Sequence, residues 1–118
     1  MNMPPETLDD LDRIATRSLA STREGTQAFA RLLQLAETRD SGQIPRIARF
    51  LAASYNGQAF PLDPFELRCV DIAISDDMLC CLDALRWGCA DLYTLVPDGD
   101  ARVRAVINRW GLHWPDEV

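Results

Sequence analysis

The sequence contains no lysine, since all 12 of its basic residues are arginines, and His113 is its only histidine. The absence of lysine excludes a Schiff-base lysine and the lysine of a phosphate-binding P-loop. Its six glycines form no glycine-rich phosphate loop. A catalytic pair of Cys89 with His113 has no surrounding signature to support it. We therefore predict that the protein is not an enzyme and has neither catalytic residues nor a bound cofactor.

The cysteines also lack the spacing of a metal site, because the sequence has neither a CxxC nor an HxxxH pattern. Cys80 and Cys81 are adjacent, so on a helix they point about 100° apart. Cys81 and Cys89 share a helix face but are about 12 Å apart along the axis. We predict that no metal is bound and that all four cysteines, including Cys69, are reduced thiols.

Long apolar runs are missing as well. No window approaches the 18 apolar residues of a membrane-spanning helix, and the first residues have no basic region and no apolar core. The sequence therefore predicts neither a signal peptide nor a membrane span, and favours the cytoplasm. A length of 118 residues suits one helical domain over 1–118, with residues 1–6 and 115–118 as frayed tails.

Apolar residues recur at helical spacing from end to end, which predicts an all-α, compact domain of five or six short helices. Two expectations concern the ends of these helices. Thr7 and Asp10 resemble a capping box, and Asn56-Gly57 resembles a left-handed C-cap. The predicted helices cover residues 8–20, 28–36 and 44–55, a short stretch after the cap Asp63-Pro64-Phe65-Glu66, a stretch that starts at Ser75-Asp76-Asp77, and residues 101–110.

Two segments are ambiguous. The residues from Val70 to Ile74 alternate between apolar and other side chains in the manner of a strand, so they are expected to form a short extended segment or a connector. Residues 91–96 either extend the fifth helix or form a separate turn. Pro97-Asp98-Gly99-Asp100 predicts a turn, and Gly111 is expected to end the last helix.

Charge is unevenly placed along the chain. The formal net charge is −6, from 18 acidic and 12 basic residues. Residues 69–100 contain seven acids and one base, Arg86, whereas the other 86 residues contain 11 of each. The whole net charge therefore belongs to residues 69–100. An acidic chain is repelled by phosphate backbones, so nucleic acid is not an expected partner.

The acidic segment predicts a docking surface for a basic partner protein. The apolar residues of the fifth predicted helix are expected to face inward, which leaves its aspartates near water. These apolar residues are Met78, Leu79, Leu82 and Leu85. A solubilising acidic face would give the same sequence pattern, so that interpretation stays open beside the first. The predicted partner-binding residues are Asp76, Asp77, Asp83, Asp91, Asp98 and Asp100.

Two other functions stay open. A small thiol-dependent enzyme would use Cys89 or another cysteine as its nucleophile. A weak DNA-binding regulator would contact phosphates through arginine pairs at helical spacing, although salt bridges with nearby acids are the more common role of such residues. The pairs are Arg13 with Arg17, Arg46 with Arg49, and Arg102 with Arg104.

Several short motifs carry a resemblance to a known family. They are Arg31-Leu32-Leu33, Ser41-Gly42-Gln43, Ile47-Ala48-Arg49-Phe50-Leu51, Tyr55-Asn56-Gly57, Asp76-Asp77-Met78-Leu79 and Asn108-Arg109-Trp110. Over residues 28–114 the chain resembles an uncharacterised family of small proteobacterial proteins, often encoded on integrative conjugative elements and plasmids. The resemblance implies an accessory protein of a mobile genetic element in a bacterial cytoplasm. It implies no catalytic residue, and it leaves host defence and DNA-processing proteins as expected targets.

Overall fold

A computed structural model describes residues 5–40 and 42–115 of the chain. The described residues contain no strand, so the predicted all-α class is confirmed. The predicted count of five or six short helices is slightly off, because the described residues form four α-helices and two short 3₁₀ helices. They are α1 (Pro5–Thr38), α2 (Ile44–Tyr55), a first 3₁₀ helix (Pro64–Arg68), α3 (Ile72–Trp87), a second 3₁₀ helix (Leu92–Leu95) and α4 (Gly99–Arg109).

The predicted tails fall mainly outside the described residues, which do not include 1–4 or 116–118. Residues 5 and 6 of the first predicted tail lie in α1, which begins at Pro5. The expected capping box is wrong because of this early start. Thr7 lies inside α1 and Asp10 forms an ion pair with Arg13, so neither residue caps the start of the helix.

The first two predicted helices are one continuous helix of 34 residues. The predicted helices ended at residue 20 and resumed at residue 28, and the sequence between them lacks large apolar residues. Small and hydroxylated residues occupy that stretch instead, and the hydroxyls of Thr22 and Thr26 each donate to the carbonyl oxygen four residues earlier. Those donors do not interrupt the backbone ladder of the helix, so α1 continues to Thr38.

Small residues are needed in the middle of α1 because α3 approaches it very closely. A Cβ atom placed on Gly25 would lie 2.3 Å from Cβ of Ala84 and 2.9 Å from the carbonyl oxygen of Cys80. The thiol of Cys81 is buried at the same crossing, 3.7 Å from the carbonyl oxygen of Gly25. Gly25 therefore allows the two helix backbones to pack with almost no side chain between them.

The core is a single cluster to which α1, α2, α3, the second 3₁₀ helix and α4 all contribute. Leu32 of α1, Met78 of α3 and Val103 of α4 are completely buried within it. Trp110, just after α4, closes one end of this cluster by donating its indole N–H to the carbonyl oxygen of Ala36 at 3.0 Å. The described helices thus share one hydrophobic interior.

The start of α3 differs from the prediction. The helix begins at Ile72 rather than near Ser75, and the expected extended segment from Val70 to Ile74 is wrong in its second half. Gln43 explains the early start, because its side-chain amide donates to the Asp71 carboxylate at 2.7 Å and accepts from the Asp71 backbone N–H at 2.7 Å. This contact between distant residues has no signal in the local sequence.

The turns around α2 follow the prediction in part. Asn56 ends α2 in an extended conformation, so the expected left-handed C-cap at Asn56-Gly57 is wrong. Asp63 caps the first 3₁₀ helix as predicted, accepting the N–H of Phe65 at 3.0 Å. The side chain of Glu66, however, does not return to the cap. It accepts hydrogen bonds from Arg46 and Arg49 of α2, each at 3.0 Å, and so ties the 3₁₀ helix to α2.

The end of the chain agrees with one of the two alternatives. Residues 92–95 form a separate 3₁₀ helix rather than an extension of α3, which stops at Gly88 with a φ of 68°. The predicted turn before α4 is short, because the helix already begins at Gly99. Gly111 has a φ of 68° and ends α4, as predicted.

The contact at Gly25 predicts the effect of a single methyl group. Gly25→Ala should lower the free energy of unfolding by about 1–2 kcal/mol, because overpacking at Ala84 outweighs the gain of about 1 kcal/mol in helix propensity. The melting temperature should fall by about 5 °C, measured by circular dichroism.

Gly57→Ala is the control for this substitution. A Cβ on Gly57 would meet only the carbonyl oxygen of Ala53, at an ordinary distance of 3.4 Å. The control should melt within a degree or two of the wild type. A Gly25→Ala protein that is as stable as the control would show that α1 and α3 are not in close contact.

Candidate functional site

The outer face of α3 mixes apolar and acidic side chains. Ile72, Asp76, Leu79 and Asp83 follow one another at intervals of four, three and four residues, so they lie along one stripe of the helix. Ile72 is 75% exposed and Leu79 is 52% exposed, and Asp76 between them is also exposed. We call these four residues the α3 stripe.

The exposure of Leu79 corrects the sequence-based expectation. Among the residues expected to face inward, Met78 is completely buried, whereas Leu82 and Leu85 are only half-buried. Leu79 points outward because the side of α3 that contains Cys81 and Ala84 packs on α1 at Gly25. Ile72 was missed because its segment resembled a strand, although the helical spacing of Ile72, Asp76 and Leu79 was a usable signal.

Two of the predicted acidic residues on α3 have partners within the protein. Asp77 forms an ion pair with Arg31 of α1, whose guanidinium donates two hydrogen bonds at 2.8 and 3.1 Å. Asp83 accepts a hydrogen bond from the buried Ser21 hydroxyl and forms an ion pair with Arg86 at 2.6 Å. The Ser21 hydrogen bond, and then that of Arg86, lower the pKa of Asp83. Both carboxylates are therefore partly used in holding helices together.

Asp100 is compensated in a similar way at the start of α4. It accepts a hydrogen bond from the Tyr55 hydroxyl and forms an ion pair with Arg104 at 3.1 Å. The Tyr55 hydrogen bond lowers the pKa of Asp100. Burial, followed by the contact with Asp100, raises the pKa of Tyr55. Asp100 thus links α4 to the end of α2.

The other three predicted acidic residues are free of such compensation. Asp76, Asp91 and Asp98 are exposed, and no described residue forms an ion pair with them. Asp91 and Asp98 precede the second 3₁₀ helix and α4, and neither side chain caps its helix. Folding therefore neutralises half of the predicted acidic set and leaves the other half open to solvent.

The arginine pairs are largely engaged with acids. Arg46 and Arg49 share Glu66, and Arg102 binds Glu37 of α1 through hydrogen bonds at 2.7 and 3.0 Å. Charge-assisted contacts of this kind reduce the positive charge that a phosphate backbone could use. The acids therefore offset part of the positive charge of these arginine pairs.

The four thiols differ strongly in their surroundings. Cys69 and Cys89 are exposed, Cys80 is half-buried and Cys81 is buried. Burial raises the pKa of Cys81 to about 12 and also raises the pKa of Cys80. The pKa of Cys89 is lowered, because its sulfur lies 3.1 Å from the Ser18 hydroxyl and near that of Thr22. Cys89 is therefore the thiol that forms a thiolate most readily among these three.

The suspected pairing of Cys89 with His113 finds no support in the placement of the two residues. Cys89 contacts α1, whereas His113 lines a groove of about 230 Å³ together with Arg49 and Phe60. A second groove, of about 210 Å³ between α2 and α3, is lined mainly by apolar residues such as Phe50 and Leu82.

Searches of the described chain for two other kinds of site gave negative results. Residues 5–40 and 42–115 contain no group of three or more histidine, cysteine or acidic residues placed to hold a metal ion. None of the helices in the same residues combines the length and the apolar character that crossing a membrane requires.

Comparison with known families gives one match. Residues 26–111, from the middle of α1 to the end of α4, match the model of a family of unknown function, DUF7673. The chain belongs to the DUF7673 family. No curated protein and no solved structure matches it. The match includes the α3 stripe but leaves out the first 25 residues, so the N-terminal part of α1 is outside the shared fold.

The surroundings of Cys89 predict the order of thiol alkylation in this DUF7673 protein. Cys89 should react with iodoacetamide at neutral pH well before Cys80 and Cys81, because its lower pKa and its exposure provide more accessible thiolate. Ser18→Ala removes the main hydrogen-bond donor to Cys89 and should slow its labelling, as measured by mass spectrometry of digests over time.

Ser54→Ala serves as the control, because the Ser54 hydroxyl donates to the carbonyl oxygen of Leu51 and is remote from the thiols in sequence. It should leave the Cys89 labelling rate unchanged. Equal rates at Cys89 and Cys80, or a Ser18→Ala protein that labels at the wild-type rate, would contradict this account of Cys89.

Proposed function

We propose that this protein is a non-enzymatic binding module whose α3 stripe docks on a basic partner protein. The observation that supports the proposal best is the pair of exposed aliphatic side chains, Ile72 and Leu79, on either side of the uncompensated Asp76. Two large apolar residues on one helix face are costly to leave in water, and a partner could bury both at once.

The combination of apolar and acidic groups defines the chemistry of the partner. Interfaces are commonly built from an apolar centre with a polar rim, so Ile72 and Leu79 would form the centre and Asp76 the rim. A matching partner surface carries leucine-like residues together with arginine or lysine. Apolar contact supplies most of the affinity, and charge supplies orientation and faster association.

The remaining acidic residues support this role at longer range. Asp91 and Asp98 have no ion pair among the described residues, so within the six predicted acidic residues these two and Asp76 are the ones without an arginine partner. Such uncompensated carboxylates produce a negative field that attracts a basic protein before contact. The field acts over roughly a Debye length, about 8 Å at physiological ionic strength, so binding should weaken as salt rises.

The biological setting that we propose comes from the resemblance noted in the sequence. In this setting the protein is an accessory protein of a mobile genetic element in a bacterial cytoplasm. Its targets would be host defence or DNA-processing proteins whose basic surfaces hold nucleic acid. An acidic surface that occupies such a target would compete with the phosphate backbone for the same arginines and lysines.

A small thiol-dependent enzyme is the second candidate, and the lowered pKa of Cys89 is the observation that favours it. The Ser18 and Thr22 hydroxyls account for that pKa without a catalytic base. A reactive Cys89 therefore does not by itself indicate catalysis, and we favour the binding function.

The acidic contribution can be tested with substitutions that disturb no internal contact. Asp76→Asn, Asp91→Asn and Asp98→Asn, combined in one protein, remove the three uncompensated carboxylates. The probe is an amphipathic helical peptide of arginine and leucine, titrated into ¹⁵N-labelled protein. In the wild type, shifts should concentrate on residues 72–83, and the triple variant should bind about tenfold more weakly.

The matched control removes three other carboxylates that form no ion pair, through Asp9→Asn, Asp12→Asn and Asp40→Asn. It should retain the wild-type affinity for the peptide. A second variant, Ile72→Gln with Leu79→Gln, should also bind weakly but without a change in salt dependence. If the acidic triple variant binds as tightly as the control, or if the shifts avoid α3, the stripe is only a solvated surface and the proposed function is wrong.

A further inference from the structure

The N-terminal part of α1 extends beyond the rest of the protein. Every residue from 8 to 17 is exposed, and the packing against α3 ends where Arg17 lies 5.5 Å from the centre of the Trp87 ring. The molecule accordingly measures 58 × 31 × 27 Å, and its radius of gyration is 16.5 Å, against about 13.5 Å for a compact chain of this length. We call residues 7–17 the arm.

The arm has an apolar face that nothing in the described chain covers. Leu8, Leu11 and Ile14 are each close to half exposed, and Leu19 at the root of the arm is 71% exposed. These four residues are half of the large hydrophobic side chains that the described structure leaves exposed. Their spacing places them on one side of the helix, and the charged residues occupy the other side.

Leu8 and Leu11 of this face lie on the same side of α1 that is buried further along the helix. One series of residues runs along this side of α1 in alternating steps of three and four. Its members are exposed from Leu8 to Ala15 and buried from Gly25 to Ala36. The complete series is Leu8, Leu11, Ala15, Ser18, Thr22, Gly25, Phe29, Leu32 and Ala36. A 3.5-residue repeat is the pattern of helices that pack along their length against another helix. From Gly25 to Ala36 this side of α1 packs on the other helices of the bundle, whereas no described helix packs on it along the arm.

The arm is the N-terminal part of α1, so the rest of this 34-residue helix already supplies its nucleus. The only described ion pair within the arm is the exposed one between Asp10 and Arg13, which contributes little. A partner that covers Leu8, Leu11 and Ile14 would therefore stabilise the helical arm by removing these apolar side chains from water.

The charges of the arm identify a partner of complementary pattern. Residues 8–12 carry three aspartates and no base, whereas residues 13–18 carry Arg13 and Arg17 and no acid. Two copies of the arm laid antiparallel about a two-fold axis would place each acidic half beside the basic half of the other copy. A parallel pair would place like charges together, so the pattern selects the antiparallel arrangement.

A lipid surface fits the arm less well. Helices that lie on anionic membranes have polar faces rich in lysine and arginine. The polar side of the arm instead carries Asp9, Asp10 and Asp12, which such a membrane repels.

We infer that the arm is a self-association element, through which two copies of this chain pair as an antiparallel helical dimer. The contact covers the apolar face of each arm and places the acidic half of one copy beside the basic half of the other. Each arm is only about 17 Å long, so the interface is smaller than the standard size of about 800 Å² per partner. The dimer is therefore weak, and it dissociates on dilution.

The test is sedimentation velocity of the full chain over a wide range of protein concentration. The wild type should shift from monomer to dimer as concentration rises. A glutamine triple variant combines Leu8→Gln, Leu11→Gln and Ile14→Gln. This variant should be monomeric at every concentration, and circular dichroism should show that its bundle is still folded. The control, Ile72→Gln with Leu79→Gln, removes exposed apolar residues from α3 and should dimerise like the wild type.

Charge reversal tests the orientation of the pair. Two variants reverse the charge of one half of the arm. The first combines Asp9→Arg, Asp10→Arg and Asp12→Arg, and the second combines Arg13→Asp and Arg17→Asp. Each variant should self-associate at least tenfold more weakly than the wild type. An equimolar mixture of the two should recover a dimer, because each arm again meets opposite charge.

Three outcomes would overturn the inference. They are a wild type that is monomeric at every concentration, a glutamine triple variant that still dimerises, and reversed variants whose mixture gives no dimer. Flotation with vesicles of phosphatidylcholine and phosphatidylserine tests the alternative that the arm binds a membrane. A monomeric protein that floats with these vesicles, and loses flotation in the glutamine triple variant, would assign the arm to a membrane and contradict self-association.

Discussion

The close contact of α1 and α3 at Gly25 determines most of the remaining structure. Because the backbones meet there, Cys81 is buried at the crossing, and Arg31 and Ser21 of α1 reach Asp77 and Asp83 of α3. The same contact sets the rotation of α3, so that Met78 enters the core and Leu79 turns to solvent. The features of α3 that support a binding function are thus consequences of how it packs on α1.

Local sequence signals predicted the parts of the fold that depend on local causes. The helical period, the cap at Asp63 and the stop at Gly111 each rest on neighbouring residues, and each is confirmed. The errors lie where distant residues decide the outcome. Gln43 moves the start of α3 to Ile72 through its contact with Asp71, and the approach of α3 explains the small residues in the middle of α1. A single sequence shows neither contact.

The candidate site was predictable in composition but not in arrangement. The excess of acids in residues 69–100 is visible in the sequence, whereas the distant partners of Asp77, Asp83 and Asp100 come from α1 and α2, and these partners are Arg31, Ser21 and Tyr55. Folding reduces the acidic set to Asp76, Asp91 and Asp98 and adds the exposed Ile72 and Leu79. The surface that results is more apolar and less acidic than the sequence alone predicts.

Self-association divides α1 into two parts, a bundle helix and an arm that pairs with a second copy of the chain. Hydrogen–deuterium exchange at high and low protein concentration tests this division of α1 most directly. The amides of residues 28–36 should exchange slowly at both concentrations, because the core protects them. The amides of residues 8–17 should be protected at high concentration and exchange rapidly after dilution. Arm amides that exchange at the same rate at both concentrations would contradict the claim.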